Sequence, residues 1–165
     1  MQDFNNKLNE KTQEIEDIIY SYLPNELNKQ KVIMEAMNYS VKAGGKRLRP
    51  MLMLETSKMF DKDCENIYPF MAAIEFIHTY SLVHDDLPAM DNDEYRRGRK
   101  TTHAEYGEDL GILAGDGLLN YAYEIMTKAV LESEDPYKAI QAMNVIATKA
   151  GIYGMVGGQT VDVIS

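Results

Sequence analysis

Apolar residues recur three and four positions apart along most of this chain, and clear two-residue alternation is absent. That period selects helix over strand, so the expected fold is all-α. Phe4, Leu8, Ile15, Ile18, Ile19 and Tyr22 mark a first helix, with Pro24 as its stop. A second is expected from about Asn25 to Ala43, with Leu27, Val32, Ile33, Met37 and Val41 inward. Gly44-Gly45 closes it, because glycine tolerates the left-handed turn at a helix end. Pro50 suits the first turn of a third helix reaching Phe60, and Asp61 to Glu65 reads as a polar loop. A long apolar helix follows from about Ile67 to Asp86, with Ile67, Met71, Ile74, His78, Ser81 and Asp85 on one inward stripe. Leu87 to Thr101 is charged and irregular. Further helices are expected over Asp109 to Leu131, from an Asp135-Pro136 cap to Ala150, and within Gly151 to Ser165.

The length of 165 residues suits one domain that buries roughly two-thirds of its unfolded surface. A net charge of −9 argues against a protein that coats nucleic acid, which needs a basic face. The single Cys64 excludes an internal disulfide and a thiolate metal cage, and its charged neighbours make it a surface thiol. No apolar leader opens the chain, and no run approaches the ~18 apolar residues of a membrane span. A soluble, cytoplasmic protein is the expectation.

The basic residues are unevenly spread. Lys46, Arg47 and Arg49 form one cluster, and Arg96, Arg97, Arg99 and Lys100 another. Two small positive sites in an acidic chain suit specific small anions better than a polyanion surface. Solvated loops are the plain alternative, and the neighbouring residues decide between them.

The strongest group is His84-Asp85-Asp86-Leu87-Pro88-Ala89-Met90-Asp91. Adjacent carboxylates at the end of an apolar helix repel one another and are poorly solvated. A hard cation such as Mg2+ relieves both costs and shares its shell with phosphate oxygens. Pro88 bends the backbone, which lets Asp91 turn back toward Asp85. An acidic helix end at the surface is the alternative reading. A calcium EF-hand is ruled out, because Tyr95 and Arg96 stand where a ligand and the turn glycine belong. Arg96 and Arg97 next to these carboxylates make a coherent diphosphate site, with arginine forks binding oxygens the metal does not.

The other site, Gly44-Gly45-Lys46-Arg47-Leu48-Arg49-Pro50, has no adjoining carboxylate and needs no metal. Lys46 and Arg49 share a face if the helix has begun there. It is no P-loop, since Ser40 and Arg47 occupy positions that need glycine and Ser/Thr. His78 lies two turns below Asp85, as an anion ligand or as a hydrogen-bonded core residue. Tyr80 and Ser81, one turn below the carboxylates, would set the depth of a pocket or simply pack. Gln159 and Asp162 share a helix face among close glycines and carry little weight by themselves.

Taken together, Gly44 to Pro50, His78 to Asp91, Arg96-Arg97-Gly98, Gly115-Asp116 and Gly157-Gly158-Gln159 resemble the bacterial farnesyl diphosphate synthases of the polyprenyl synthetase family. The resemblance implies antiparallel helices of the isoprenoid synthase fold around a central cavity, usually in a homodimer. It implies Mg2+-dependent condensation of an allylic diphosphate, dimethylallyl or geranyl, with isopentenyl diphosphate to farnesyl diphosphate. It assigns the metal to Asp85 and Asp91 with Asp86 in support, and the allylic diphosphate to Arg96. Gly45, Lys46, Arg49, His78 and Arg97 would hold isopentenyl diphosphate, and Gln159 and Asp162 would be allylic-side contacts. Pro88-Ala89 inside the aspartate motif is the bacterial pattern, and Tyr80, with Ser81, would limit product length. Family members are much longer and carry a second aspartate-rich motif, so these residues correspond to the N-terminal part of one such domain.

Two rivals remain at this stage. One is a His-Asp type metal-dependent phosphohydrolase built on His84-Asp85, with His78 and His103 as further ligands. The other is a non-catalytic subunit of a prenyl synthase.

Overall fold

The computed structural model describes residues 2–60 and 65–165, so Cys64 and most of the expected Asp61 to Glu65 loop lie outside the described residues. Eight helices appear among the described residues: α1 (Gln2–Ser21), α2 (Lys31–Val41), α3 (Leu48–Phe60), α4 (Tyr68–Asp85), α5 (Thr102–Tyr106), α6 (Glu108–Glu132), α7 (Pro136–Ala150) and α8 (Met155–Ile164). A 3-10 turn, Glu65–Ile67, leads into α4.

The central pair is α4 against α6, and it runs antiparallel. Near the end of α4, His84 meets Ile112 at the start of α6. Midway, the rings of Phe76 and Tyr121 stack at 6.1 Å. Near the start of α4, Phe70 shares a cavity of about 810 Å3 with Ala129, Ala139 and Ile146. Ile15 and Ile19 of α1, Met37 and Val41 of α2, and Leu54 of α3 close the core around this pair. Burial of such side chains is worth about 1.5–3 kcal/mol each relative to exposure.

The stripe expected to face inward on α4 is mostly its half-open side. Only Met71 of that set is fully buried, while Phe70, Phe76, Ile77, Tyr80 and Val83 are buried on other faces. A helix packed against five others is apolar nearly all round, so periodicity alone does not find its core face. What the stripe marks is the less enclosed side of α4.

Four local differences have local causes. The second helix starts at Lys31, not near Asn25, because Asn28 is left-handed (φ 67°) and interrupts it. The preceding segment folds back, and the Asn38 side-chain amide donates to the Pro24 carbonyl (3.1 Å) and to Glu26 Oε1 (2.9 Å). Leu27 and Val32 are consequently exposed. Within the charged segment, β1 (Tyr95–Arg96) and β2 (Arg99–Lys100) form an antiparallel hairpin where no strand was expected. Its two-residue turn, Arg97-Gly98, has both residues at positive φ (54° and 77°), the twist that such hairpins favour. The short α5 follows and breaks from α6 at Gly107, whose φ is 99°. The expected Asp135 cap is present, with Oδ1 accepting from the Lys138 N–H at 3.1 Å. Among the described residues, no helix is long and apolar enough to cross a membrane.

Candidate functional site

The acidic end of α4 curls back on itself. With no N–H on Pro88, the chain leaves the helix, and the Asp91 N–H donates to the Asp85 carbonyl at 2.9 Å. The Asp93 N–H donates to the Asp86 carbonyl at 3.2 Å. Asp91 therefore returns to Asp85 although six residues is a poor same-face spacing on a helix. The two carboxylates that end α4 then diverge. Asp86 is buried, and its Oδ1 accepts from Arg96 Nε (2.8 Å) and Nη2 (2.6 Å). Asp85 is half-buried and, among the described residues, turned to no such partner. Its carboxyl is pushed up by burial, and further up by the charges of Asp91, Asp86 and Asp162, against a partial offset from Arg96.

That imbalance tests the chemistry of the donor set. Three like charges act on Asp85 and a single opposing one offsets them, so the oxygens face a surplus of negative charge that a divalent cation relieves. The donors are hard carboxylate oxygens, which suits Mg2+. Among the described residues, no three His, Cys, Asp or Glu side chains stand close enough to form a ready-made cage. A cation that keeps several waters does not need one.

The basic site is assembled from two distant loops. The hairpin is docked on α2, because Arg99 donates to the Lys42 carbonyl (3.1 Å) and lies over the Tyr39 ring (4.4 Å). Tyr39 in turn donates to the Lys100 carbonyl at 2.9 Å. This carries Arg97 back to the double-glycine loop, where Nη1 donates to the Gly44 carbonyl. Gly45 adopts φ 149°, a conformation strained for a residue with a side chain, and its open α-carbon leaves room for the Arg97 guanidinium. His78 is half-buried and its imidazole is pushed down, first by burial and then by Arg49, Arg97 and Arg47, with Glu75 opposing. A half-buried imidazole on which several guanidinium charges act is a place for an anion. Lys46 and Arg49 are exposed, but α3 begins only at Leu48, so Lys46 stays in the loop and the two do not share a helix face.

Arg47 departs from its expected cluster. It is 3% exposed and turned inward, with Nη1 to Glu75 Oε1 at 2.8 Å and Nε to Glu16 Oε1 at 3.0 Å. A left-handed backbone (φ 47°) points it away from Lys46 and Arg49. Glu75 was missed as well. Its signal was available, as a lone charge inside an apolar helix three residues before His78.

A cavity of about 30 Å3, roughly one water, joins the two regions, with Glu75, His78, Asp86, Arg96 and Arg97 among its lining. Tyr80 is buried with its ring edge-on to His84 at 5.7 Å, and Ser81 Oγ donates to the His78 carbonyl at 2.8 Å. On α8, Gln159 is half-buried and Asp162 is exposed, with its charge reaching Asp85. Residues for a His-Asp metal centre do not converge. His84 Nε2 lies 3.0 Å from the Ile112 carbonyl, seated against Gly115 where any Cβ would collide with the ring. His103 Nε2 lies 2.9 Å from the Asp93 carbonyl.

Comparison with known proteins gives the fold and the family. The farnesyl diphosphate synthase of Geobacillus stearothermophilus is 46% identical over 155 residues, covering 94% of this chain and 52% of that protein. The chloroplastic geranylgeranyl pyrophosphate synthase of Capsicum annuum is 46% identical over 132 residues, covering 80% of this chain and 36% of its own. The crystal structure of an FPP/GFPP synthase from Zymomonas mobilis superposes with a TM-score of 0.88 at 36% identity, covering 98% of this chain and 58% of the other. The fold is thus the all-α isoprenoid synthase fold, and the chain spans about half the length of the relatives it matches. The polyprenyl synthetase family pattern matches residues 30–165, and the chain belongs to that family.

Proposed function

We propose that this chain carries the substrate-binding half of a prenyltransferase that condenses an allylic diphosphate, dimethylallyl or geranyl, with isopentenyl diphosphate to give farnesyl diphosphate. The carrying observation is geometric: Asp91 is folded back on Asp85, Asp86 is bound to Arg96, and Asp86, Arg96, Arg97 and His78 line one cavity.

Asp85 and Asp91 hold Mg2+, with Asp86 in support by orienting Arg96. Bound Mg2+ supplies electrostatic stabilisation to the departing diphosphate. Arg96 holds the same diphosphate, with Gln159 and Asp162 as polar contacts beside it. Lys46, Arg49, His78 and Arg97 hold the diphosphate of isopentenyl diphosphate, and Gly45 gives its backbone room. Fixing both chains by their anions places the double bond of one against the allylic carbon of the other. As the allylic carbon–oxygen bond breaks, the alkene attacks the resulting cation in a pocket that excludes water. The proton lost afterwards goes to the released diphosphate, so no side-chain nucleophile is required. A homodimer and a cytoplasmic location belong to the same reading.

Incubating the protein with labelled isopentenyl diphosphate, geranyl diphosphate and Mg2+ is expected to give a C15 diphosphate, and chelation abolishes it. Turnover is expected to be slow, because the chain spans about half the length of the relatives it matches. Hydrolysis of a phosphate ester without prenyl transfer overturns the reading. Tyr80 is the floor of the product pocket in this reading. Tyr80→Ala is expected to shift the main product from C15 to C20 or longer, read by chromatography of the dephosphorylated alcohols. An unchanged C15 product would remove Tyr80 from that role.

A further inference from the structure

We propose that Arg47 is a positioning residue for the isopentenyl diphosphate site, and that α1 sets its position through Glu16 and Tyr20. This rests on the function proposed above.

Every nitrogen of the Arg47 guanidinium has an acceptor. Nη1 donates to Glu75 (2.8 Å), Nε to Glu16 (3.0 Å), and Nη2 to the Val41 carbonyl (2.7 Å) and the Tyr20 hydroxyl (3.3 Å). One side chain therefore ties together α1, the end of α2 and the middle of α4. A planar fork of five N–H donors can do this, and an ammonium cannot.

The groups of the anion site are attached to this knot. Lys46 precedes Arg47 and Arg49 follows two residues later, both exposed while Arg47 is buried. Glu75 is three residues before His78 on α4, about one turn along the same side of the helix. Arg97 is fastened to Gly44, in the loop that Arg47 ends. The left-handed backbone at Arg47 is costly for a residue with a side chain, and the four hydrogen bonds hold it there. Two of the acceptors come from α1, which lies wholly before the family-matched span that opens at residue 30. The first helix thus reaches the least exposed group beside the site.

Glu16→Gln and Tyr20→Phe test this with little change of volume at partly exposed positions. Arg47→Lys is the third variant, keeping the charge and losing the fork. Binding is read by calorimetry on the full chain, with isopentenyl diphosphate in EDTA and with geranyl diphosphate in Mg2+. The expected result is a rise of about tenfold in the Kd for isopentenyl diphosphate in Glu16→Gln and Arg47→Lys, with a smaller rise in Tyr20→Phe. The Kd for geranyl diphosphate stays within about twofold, because its site is anchored elsewhere. A merely structural role weakens both ligands together, and that outcome overturns the proposal. So does an unchanged Kd for isopentenyl diphosphate in Glu16→Gln, which keeps the test alive if Arg47→Lys fails to fold. A wild-type chain that binds no isopentenyl diphosphate overturns the proposed function itself, and the inference with it.

Discussion

Asp85→Asn is expected to lower the rate of prenyl transfer by about 10^3-fold, the scale of losing a main electrostatic stabiliser of a departing anion. The same change is expected to raise the metal-free melting temperature, or leave it unaltered. The two signs differ for one reason. Asp85 is partly buried and near the charges of Asp91, Asp86 and Asp162, so its own charge works against the metal-free fold. Asparagine keeps the shape and removes that strain together with the cation's strongest attraction. Stability and activity then move in opposite directions, as is common where a site is held in a destabilised state. Melting curves with and without Mg2+, alongside the transfer assay, check both halves. A large fall in the metal-free melting temperature would mean that Asp85 is a structural carboxylate.

Arg47→Ala is expected to cost about 3–5 kcal/mol, the range for removing one partner of a buried ion pair. Glu75 is nearly as buried as Arg47 and would be left with an uncompensated charge. Glu16 is more exposed and can turn to water. In a domain of this size, about 2–4 °C is lost per kcal/mol, so the melting temperature falls by roughly 10 °C. The double variant Arg47→Met with Glu75→Leu is expected to lose less than Arg47→Ala, because an apolar pair leaves no charge stranded. A double variant that is the less stable of the two would show that the guanidinium contributes through its geometry rather than by satisfying Glu75. Thermal unfolding of the three proteins decides this.

Much of the helical frame was legible because its cues are local. The Asp135-Pro136 cap, the double-glycine stop after α2 and the three-and-four spacing along α1 and α6 act within a turn or two. The hairpin was hidden because strands of two residues are too short to show alternation. The start of α2 was hidden because the left-handed Asn28 and the Asn38 bond to the Pro24 carbonyl form only once the chain folds back. Within the candidate site, the return of Asp91 to Asp85 could be anticipated from Pro88. The inward turn of Arg47 could not, since it depends on acceptors from helices far away in sequence. The meeting of Arg97 with Gly44 is tertiary for the same reason: docking of the hairpin on Tyr39 and Lys42 brings it about.

The last helix gives the acidic site a distinctive timing. None of the ten residues of α8 is buried, and its Asp162 approaches Asp85 against like charge. A helix this short has little stability of its own. By contrast, α4 carries ten buried residues and opens only when the whole domain does. Amide protons of α8 therefore exchange with solvent through brief local openings, long before those of α4. In the 165-residue chain, the helix bearing Asp162 therefore opens far more often than the α4 end bearing Asp85.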